Sequence, residues 1–270
     1  FKLVVRLLGN IIILKKKNKI CWMYKIQKTS LDYYGELRDG KPHGKGTIKW
    51  SNGYVYEGEV IYVKGQCTRH GNGVMTWPPS EKHPQGKKYI GEWKNDKQEG
   101  VGKMIWHGIA EVVGDFKDDL PNGECEQVFT NGDKYVGQFK EGRREGKGTH
   151  VIPSGETYTG EWKNDVQHGY GKMIYADGVE YEGQFENGDR NGKGTLKLIN
   201  GGEYTGDFKD NDYHGYGTLK VSNGDTIIGE WRNTKLHGQA TLISPEGKSQ
   251  EVVWDEKNKN YIEIDKGKEN

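Results

Sequence analysis

Five histidines, His43, His70, His168, His214 and His237, each stand directly before a glycine. A row of imidazoles is first of all a candidate metal row. Zinc, however, needs its ligands within about 2.0–2.1 Å of one ion. Copies carried on successive strand pairs lie about 10 Å apart, so these side chains read as a repeated motif and not as a ligand set. Glu92, Glu161 and Glu230 recur in the same way, each with Lys94, Lys163 or Arg232 two residues on. Alternating acid and base on one strand face makes a ladder of solvated charges, not a general acid–base pair. Gly-x-Gly is frequent, yet a phosphate-cradling Gly-x4-Gly-Lys-Ser/Thr is not formed. Gly142 to Gly146-Lys147 is one residue short, and Gly148 stands where the hydroxyl residue belongs. Cys21, Cys67 and Cys125 are odd in number and widely spaced, which fits neither a disulfide framework nor a zinc pattern. The expectation is therefore no catalytic residue, no metal and no cofactor.

The same residues become legible through their spacing. Tyr158 to Glu180 is one unit, and moving 23 residues along brings Tyr181, Gly183 and Phe185 onto the marks of Tyr158, Gly160 and Trp162. The first glycine of each unit falls at 35, 58, 91, 114, 137, 160, 183, 206 and 229, a step of 23 broken once by a step of 33. A fixed period of this length signals a repeat architecture.

With the leading aromatic as position 1, positions 1, 3 and 5 read Tyr, Gly and Trp, Phe or Leu. Period-2 alternation puts them on one face of a strand. Positions 12, 14, 16 and 18, such as Gly169, Gly171, Met173 and Tyr175, are expected to complete that face on a second strand. The glycines there leave room for neighbouring rings. An Asn/Asp-rich turn such as Asn164-Asp165 closes each unit internally. Between units, parity requires an odd loop, expected as a three-residue turn with Gly178 in the left-handed region. The fold class that follows is all-β: a single-layer antiparallel meander of stacked hairpins, about nine 23-residue repeats long.

Three segments are expected. Residues 1–32 form a basic leader and a capping strand, with residues 24–28 alternating so that they can pair with the first repeat. Residues 33–249 carry nine repeats, the second (56–88) holding ten extra residues, four between Gly58 and Gly71 and the rest around Pro78-Pro79-Ser80-Glu81-Lys82-His83-Pro84. Residues 250–270 supply a closing strand marked by Trp254, with Val252 in the glycine's place, and a charged tail expected to be disordered after about Ile264. The fourth repeat has Val112 for tyrosine and Cys125 for glycine; the ninth has Ile227 and Ala240.

A mean hydropathy of −0.94 with 32% hydrophobic residues resembles a disordered chain, until one sees that most of the aromatics and the 41 glycines sit on the repeat marks. A net charge of +1 argues against a nucleic-acid binder. Residues 1–31 carry eight Lys/Arg and no acid. Residues 1–20 read as a basic membrane-surface helix, a targeting peptide or an unstructured leader preceding a start at Met23. Lys15, Lys16, Lys17 and Lys19 are the candidate contacts to anionic phospholipid. No apolar run reaches the 18 residues needed to span a bilayer, and the cysteine pattern points to a reducing, intracellular setting.

The unit Tyr158 to Gly171, Y-x-G-[EQD]-[WF]-K-[ND]-x-x-x-H-G-x-G in general form, resembles the MORN repeat (membrane occupation and recognition nexus). Nine copies cover about four fifths of the chain. The resemblance implies a ribbon of stacked β-hairpins without a catalytic centre, acting as a scaffold or adaptor. An array that makes up nearly the whole chain is similar to radial-spoke head proteins, which implies protein partners in the cytoplasm and cytoskeleton, in the axoneme of a cilium or flagellum. Phospholipid binding is a weaker implication of the same resemblance. The candidate partner-binding face is the ring row of Tyr135, Phe139, Tyr158, Trp162, Tyr181, Phe185, Tyr204 and Phe208.

Overall fold

The computed structural model describes the backbone of residues 5–8, 11–16, 19–28, 31–255 and 260–263, and side chains over 31–254 and at Ile262. Among these residues there is no helix. Two compact units are present, residues 1–142 and 143–270. The first runs through twelve strands, from Val5–Leu8 to Lys134–Lys140, and the second through eleven, from Arg143–Val151 to Asn260–Glu263. Inside each unit every strand pairs antiparallel with the next, so each is a single-layer meander. The expected fold class is the observed one.

One hairpin of the second unit shows why the sequence folds this way. Thr157–Lys163 pairs with Val166–Ile174 through Tyr158↔Met173 and Gly160↔Gly171. The connecting residues Asn164 and Asp165 both have positive φ, 51° and 71°, the two-residue turn whose twist suits a hairpin. Between hairpins the loop is Ala176-Asp177-Gly178: Tyr175 N–H donates to Val179 O at 2.8 Å, and Gly178 has φ 89°. That is the odd loop parity required.

The ladder breaks at one place that alternation does not foresee. Glu161 pairs with His168 although Gly160 pairs with Gly171, so Gly169 and Tyr170 bulge out of the second strand. Gly169 adopts φ 61°, and a Cβ there would meet Glu161 Oε2. Position 12 therefore points away from the rings, correcting the expected face of Gly169. Glu161 holds the bulge by accepting the Tyr170 N–H at 3.3 Å. Gln184 does the same for Lys193 at 2.8 Å, and Glu92 for Val101 at 3.2 Å. These side chains are more than ladder charges.

Each turn also reaches back one hairpin. Asp165 N–H donates to Arg144 O at 3.1 Å, and its carboxylate accepts the Arg144 N–H at 2.9 Å. Asp96 clasps Arg69 likewise at 3.0 and 2.8 Å, and Asn211 clasps Arg190 at 3.1 and 2.9 Å. Where position 10 is Pro121, with no N–H to give, the turn carries Gly142, with no side chain to accept one, and keeps the Gly142 N–H···O bond at 2.9 Å. Asp165→Ala should cost about 1–2 kcal/mol, for a lost hydrogen bond and an alanine forced to positive φ. Asp165→Asn should be nearly neutral, since Asn211 does the same work. Urea midpoints of the two variants check the clasp; equal midpoints would refute it.

The departures from period 23 are accommodated locally. Val55–Val63 and Gln66–Trp77 make a longer hairpin, pairing out to Val63↔Gln66 around Lys64-Gly65. The rest of the insertion is a loop closed by Ser80 and His83, which exchange backbone bonds of 3.0 and 3.1 Å. Before the first repeat, Lys19–Lys28 pairs with Leu31–Arg38. Ile11–Lys16 and Lys19–Lys28 are strands, which replaces the membrane-surface helix reading; their β-branched isoleucines suit a pleated backbone. Ser249–Asp255 pairs with Lys235–Ile243 and also with Asn260–Glu263, and Val252 is 1% exposed opposite Ala240. The tail expected to be disordered lies outside the described residues.

Candidate functional site

The rings do gather on one face of each unit. In the second unit they form a chain of edge-to-face contacts: Trp162–Tyr158 at 5.2 Å, Tyr158–Phe185 at 5.1 Å, Phe185–Tyr181 at 5.1 Å, Tyr181–Phe208 at 5.0 Å and Phe208–Tyr204 at 5.2 Å. In the first unit Tyr135 meets Phe139 at 5.2 Å. This is the geometry that aromatic quadrupoles favour.

Tyr33, Tyr56, Tyr89, Tyr158, Tyr181 and Tyr204 each lie over their own glycine pair. A Cβ built on Gly171 would stand 2.5–2.7 Å from the Tyr158 ring, and one on Gly160 would meet Gly171 Cα at 2.5 Å. The hydroxyl then donates to the carbonyl three residues on, Tyr158 to Glu161 at 2.8 Å and Tyr181 to Gln184 at 2.9 Å. The same bond recurs from Tyr33, Tyr56, Tyr89, Tyr135 and Tyr204 at 2.7–3.1 Å. Burial pushes the hydroxyls of Tyr33, Tyr56, Tyr89, Tyr158, Tyr181 and Tyr204 well above the ordinary phenol value, with the nearby acids adding to it at most of them. Trp162 Nε1–H reaches back to Gly148 O at 3.1 Å, as Trp93 does to Gly73 O and Trp231 to Gly217 O.

The tight packing corrects the expected partner face. The four tyrosines of that row are 0–1% exposed, and Phe139, Trp162, Phe185 and Phe208 only 3–6%. The rings cover one another and their glycines, so they form the core and offer no free surface to a partner.

The fourth repeat carries a compensated exchange, not a weakness. Where Val112 lacks a ring and a hydroxyl, Cys125 Sγ contacts Asp115 O at 3.3 Å, the carbonyl a tyrosine would have reached. Cys125 is 4% exposed, and burial pushes its thiol up to about 11, so it behaves as an apolar filler. Val112→Tyr and Cys125→Gly should each destabilise, by overcrowding and by a void respectively, at about 1–3 kcal/mol. The double variant should regain most of that loss. A denaturant double-mutant cycle with additive losses would show that the two sites are independent.

The opposite face is open. In the first unit it holds a groove of about 1420 Å³ floored by Gly46, Gly58, Gly73 and Gly91. Glu36, Glu57 and Glu59 line it together with Lys45, Tyr34 and Ile90. Apolar side chains stand exposed on this side, Ile90 at 39% and Val101 at 60% in the first unit, Tyr170 at 55% and Tyr216 at 67% in the second. Sequence reasoning assigned this face to solvent. The missed signal is the valine or tyrosine at position 13, where a solvated strand would carry a charge.

The lysines proposed for lipid divide: Lys15, Lys16 and Lys19 lie in strands, and Lys17 falls outside the described residues. Among the described residues no three His, Cys, Asp or Glu side chains converge on a metal-sized site. His168 and His214 instead offer backbone carbonyls near the hydroxyls of Tyr158 and Tyr204, at 3.5 and 3.3 Å.

Hairpins that bury their rings on one face and expose a furrow on the other define a β-hairpin repeat protein, a structural and binding class. The chain belongs to the MORN-repeat family: the MORN repeat model matches residues 33–53, 68–81, 89–107, 113–134, 135–157, 158–180, 181–203, 204–226 and 228–249. That repeat is a structural and binding unit, not a catalytic one. No curated protein matches the chain. Among solved structures it is similar to the TCP domain of SAS-4 (dCPAP) from Drosophila melanogaster, in complex with a proline-rich motif of Ana2 (dSTIL). That match has 10% identity over 85% of this chain and 88% of that one, with a TM-score of 0.28.

Proposed function

We propose that the protein is a non-enzymatic scaffold that holds an extended protein segment in a cytoskeletal assembly of the axonemal, radial-spoke-like kind. The observation that carries this is the glycine-floored groove of the first unit, long and open where a single small substrate would need enclosure. Its Glu36, Asp39, Glu57 and Glu59 outnumber Lys45, which favours a basic segment. Ile90 and Tyr34 give such a segment apolar anchors between the charges. Several weak contacts along one strip combine through effective concentration. The axonemal setting rests on the resemblance of an array-dominated chain to radial-spoke head proteins.

The test is a pull-down from ciliated-cell extract with the intact chain and with Glu57→Lys/Ile90→Ser. Both positions are exposed, and neither holds a bulge. Axonemal proteins should be retained by the intact chain and lost by the variant. Retention of lipid kinases or membrane proteins alone would transfer the assignment to an adaptor on anionic phospholipid. Liposome flotation with and without residues 1–22 would then locate that activity at the basic leader.

A further inference from the structure

Position 2 of each repeat lies on the open face, and along the first unit it changes character. It is Tyr34 and Glu57 in the first two repeats, then Ile90, Val113 and Val136 in the next three. Those three are 39%, 43% and 43% exposed. The ladder fixes their relation. Ile90 pairs with Lys103, Lys103 with Val113, Val113 with Glu126 and Glu126 with Val136. All five side chains therefore share one face and form one row across the strands. Val74 extends the row by one strand, opposite Ile90. Single exposed apolar residues carry no message, but a row of them at one interval does.

The charges between these knobs are already satisfied. Lys103 pairs with Glu111 at 2.5 Å, and Glu126 with Lys134 at 3.0 Å. What the row offers is apolar contact at a fixed interval. Val101, 60% exposed, adds to it across Gly102, on the strand between those of Ile90 and Val113. The row begins in the groove, whose lining includes Val74 and Ile90.

Two strands separate one knob from the next, a pitch of about 9.6 Å. A bound segment meets every knob only if its own side chains recur on one side at that distance. A β-strand covers it in three residues, about 10 Å, but an odd step turns the side chain to the opposite face. An α-helix needs seven residues, about 10.5 Å, and drifts by about 20° on the way. A polyproline II helix turns once in three residues and rises about 9.3 Å. Of the three, it alone keeps both the side and the pitch. The ladder also uses up the backbone groups of this face, and a polyproline II backbone asks none of them for hydrogen bonds.

We propose that the row of Ile90, Val113 and Val136 binds a protein segment in the polyproline II conformation, with a proline or aliphatic residue at every third position. The inference rests on the groove being the seat of an extended segment. It adds the conformation and the period which that segment must have.

Fluorescein-labelled peptides on the full chain test this by anisotropy. The first carries four Pro-Pro-Leu triplets and no charge, which leaves the acids of the groove out of the measurement. The second has one extra proline after the second triplet, which keeps the conformation and moves the later leucines out of phase. It should bind about fivefold more weakly, the range for losing one apolar contact of this size. A third, with a whole triplet added at the same point, should bind like the first. An alanine-based helix with leucine at every seventh residue should bind more weakly than the first. Val113→Ser and Val136→Ser should each weaken the first peptide about fivefold. Ile199→Ser, an exposed change away from the row, should leave it unaltered. No binding of the first peptide would overturn the proposal, as would equal binding of the first and second or of the first and the helix. So would unchanged binding in both valine variants. The groove reading fails separately, when Glu57→Lys/Ile90→Ser still retains axonemal proteins.

Discussion

Gly171→Val should lose about 3 kcal/mol, the upper end for overpacking a rigid site. The added Cβ alone would sit 2.5–2.7 Å from the Tyr158 ring. That ring cannot step aside: it is 1% exposed, touches Trp162 and Phe185, and its hydroxyl is tied to Glu161 O. Gly194→Val should behave alike, since its Cβ would stand 2.4–2.6 Å from Tyr181. Lys172→Thr, one residue from Gly171 and on the outer face, removes only an exposed 2.8 Å contact with Glu180, worth less than about 1 kcal/mol. Thermal melting decides. Similar shifts for Gly171→Val and Lys172→Thr would mean that the rings do not set the packing of this face.

A steep alkaline transition is the second large effect. Tyr33, Tyr56 and Tyr89 in the first unit, and Tyr158, Tyr181 and Tyr204 in the second, all have hydroxyls raised by burial. In the unfolded chain these groups ionise near pH 10, at about 1.4 kcal/mol per pH unit each. A raised folded value means that the neutral form stabilises the fold. The contribution is complete below the unfolded value and is lost as the pH climbs toward the folded one. Three such groups in each unit lose together about 4 kcal/mol per pH unit above 10, which soon matches a typical folding free energy of about 5–15 kcal/mol. The melting temperature should be level to about pH 9.5 and collapse by about pH 11.5. Absorbance at 295 nm should report tyrosinate appearing together with the loss of β-structure. Smooth ionisation of these tyrosines in a still-folded chain would contradict the packing described.

Much of this was written in the spacing. Alternation placed Tyr158, Gly160 and Trp162 on one face, and parity placed Gly178 in its turn. The bulge at Gly169 was not legible, because it depends on Glu161 reaching the Tyr170 N–H and not on the order of apolar residues. Nor was the burial of the rings. A single layer suggests an open face, and what closes it is the packing of each ring on its neighbours and on its own glycines, which depends on side-chain geometry and not on the order of residue types. Val112 and Cys125 looked like two losses of the motif, since their pairing is visible only when the thiol is found where the hydroxyl should be. The open groove went unread for the converse reason: its glycines were counted as room for rings on the other side.

The backward clasp of each turn has a consequence for how such a chain changes its length. Tyr158 is bonded within its own repeat, and Asp165 reaches the hairpin just before it and no further. Nothing in these bonds counts how many repeats stand on either side. Excising residues 181–203 would bring Asn211 to Gln167, a carbonyl that already takes the Gly188 N–H at 2.9 Å. Excising one residue fewer would turn the side chains beyond the cut to the opposite face unless a bulge or loop absorbed the extra residue. The number of hairpins in this chain is therefore quantised, while a length in between is taken up inside one hairpin, as the longer strands around Lys64-Gly65 and the loop at Ser80 and His83 do in the second repeat.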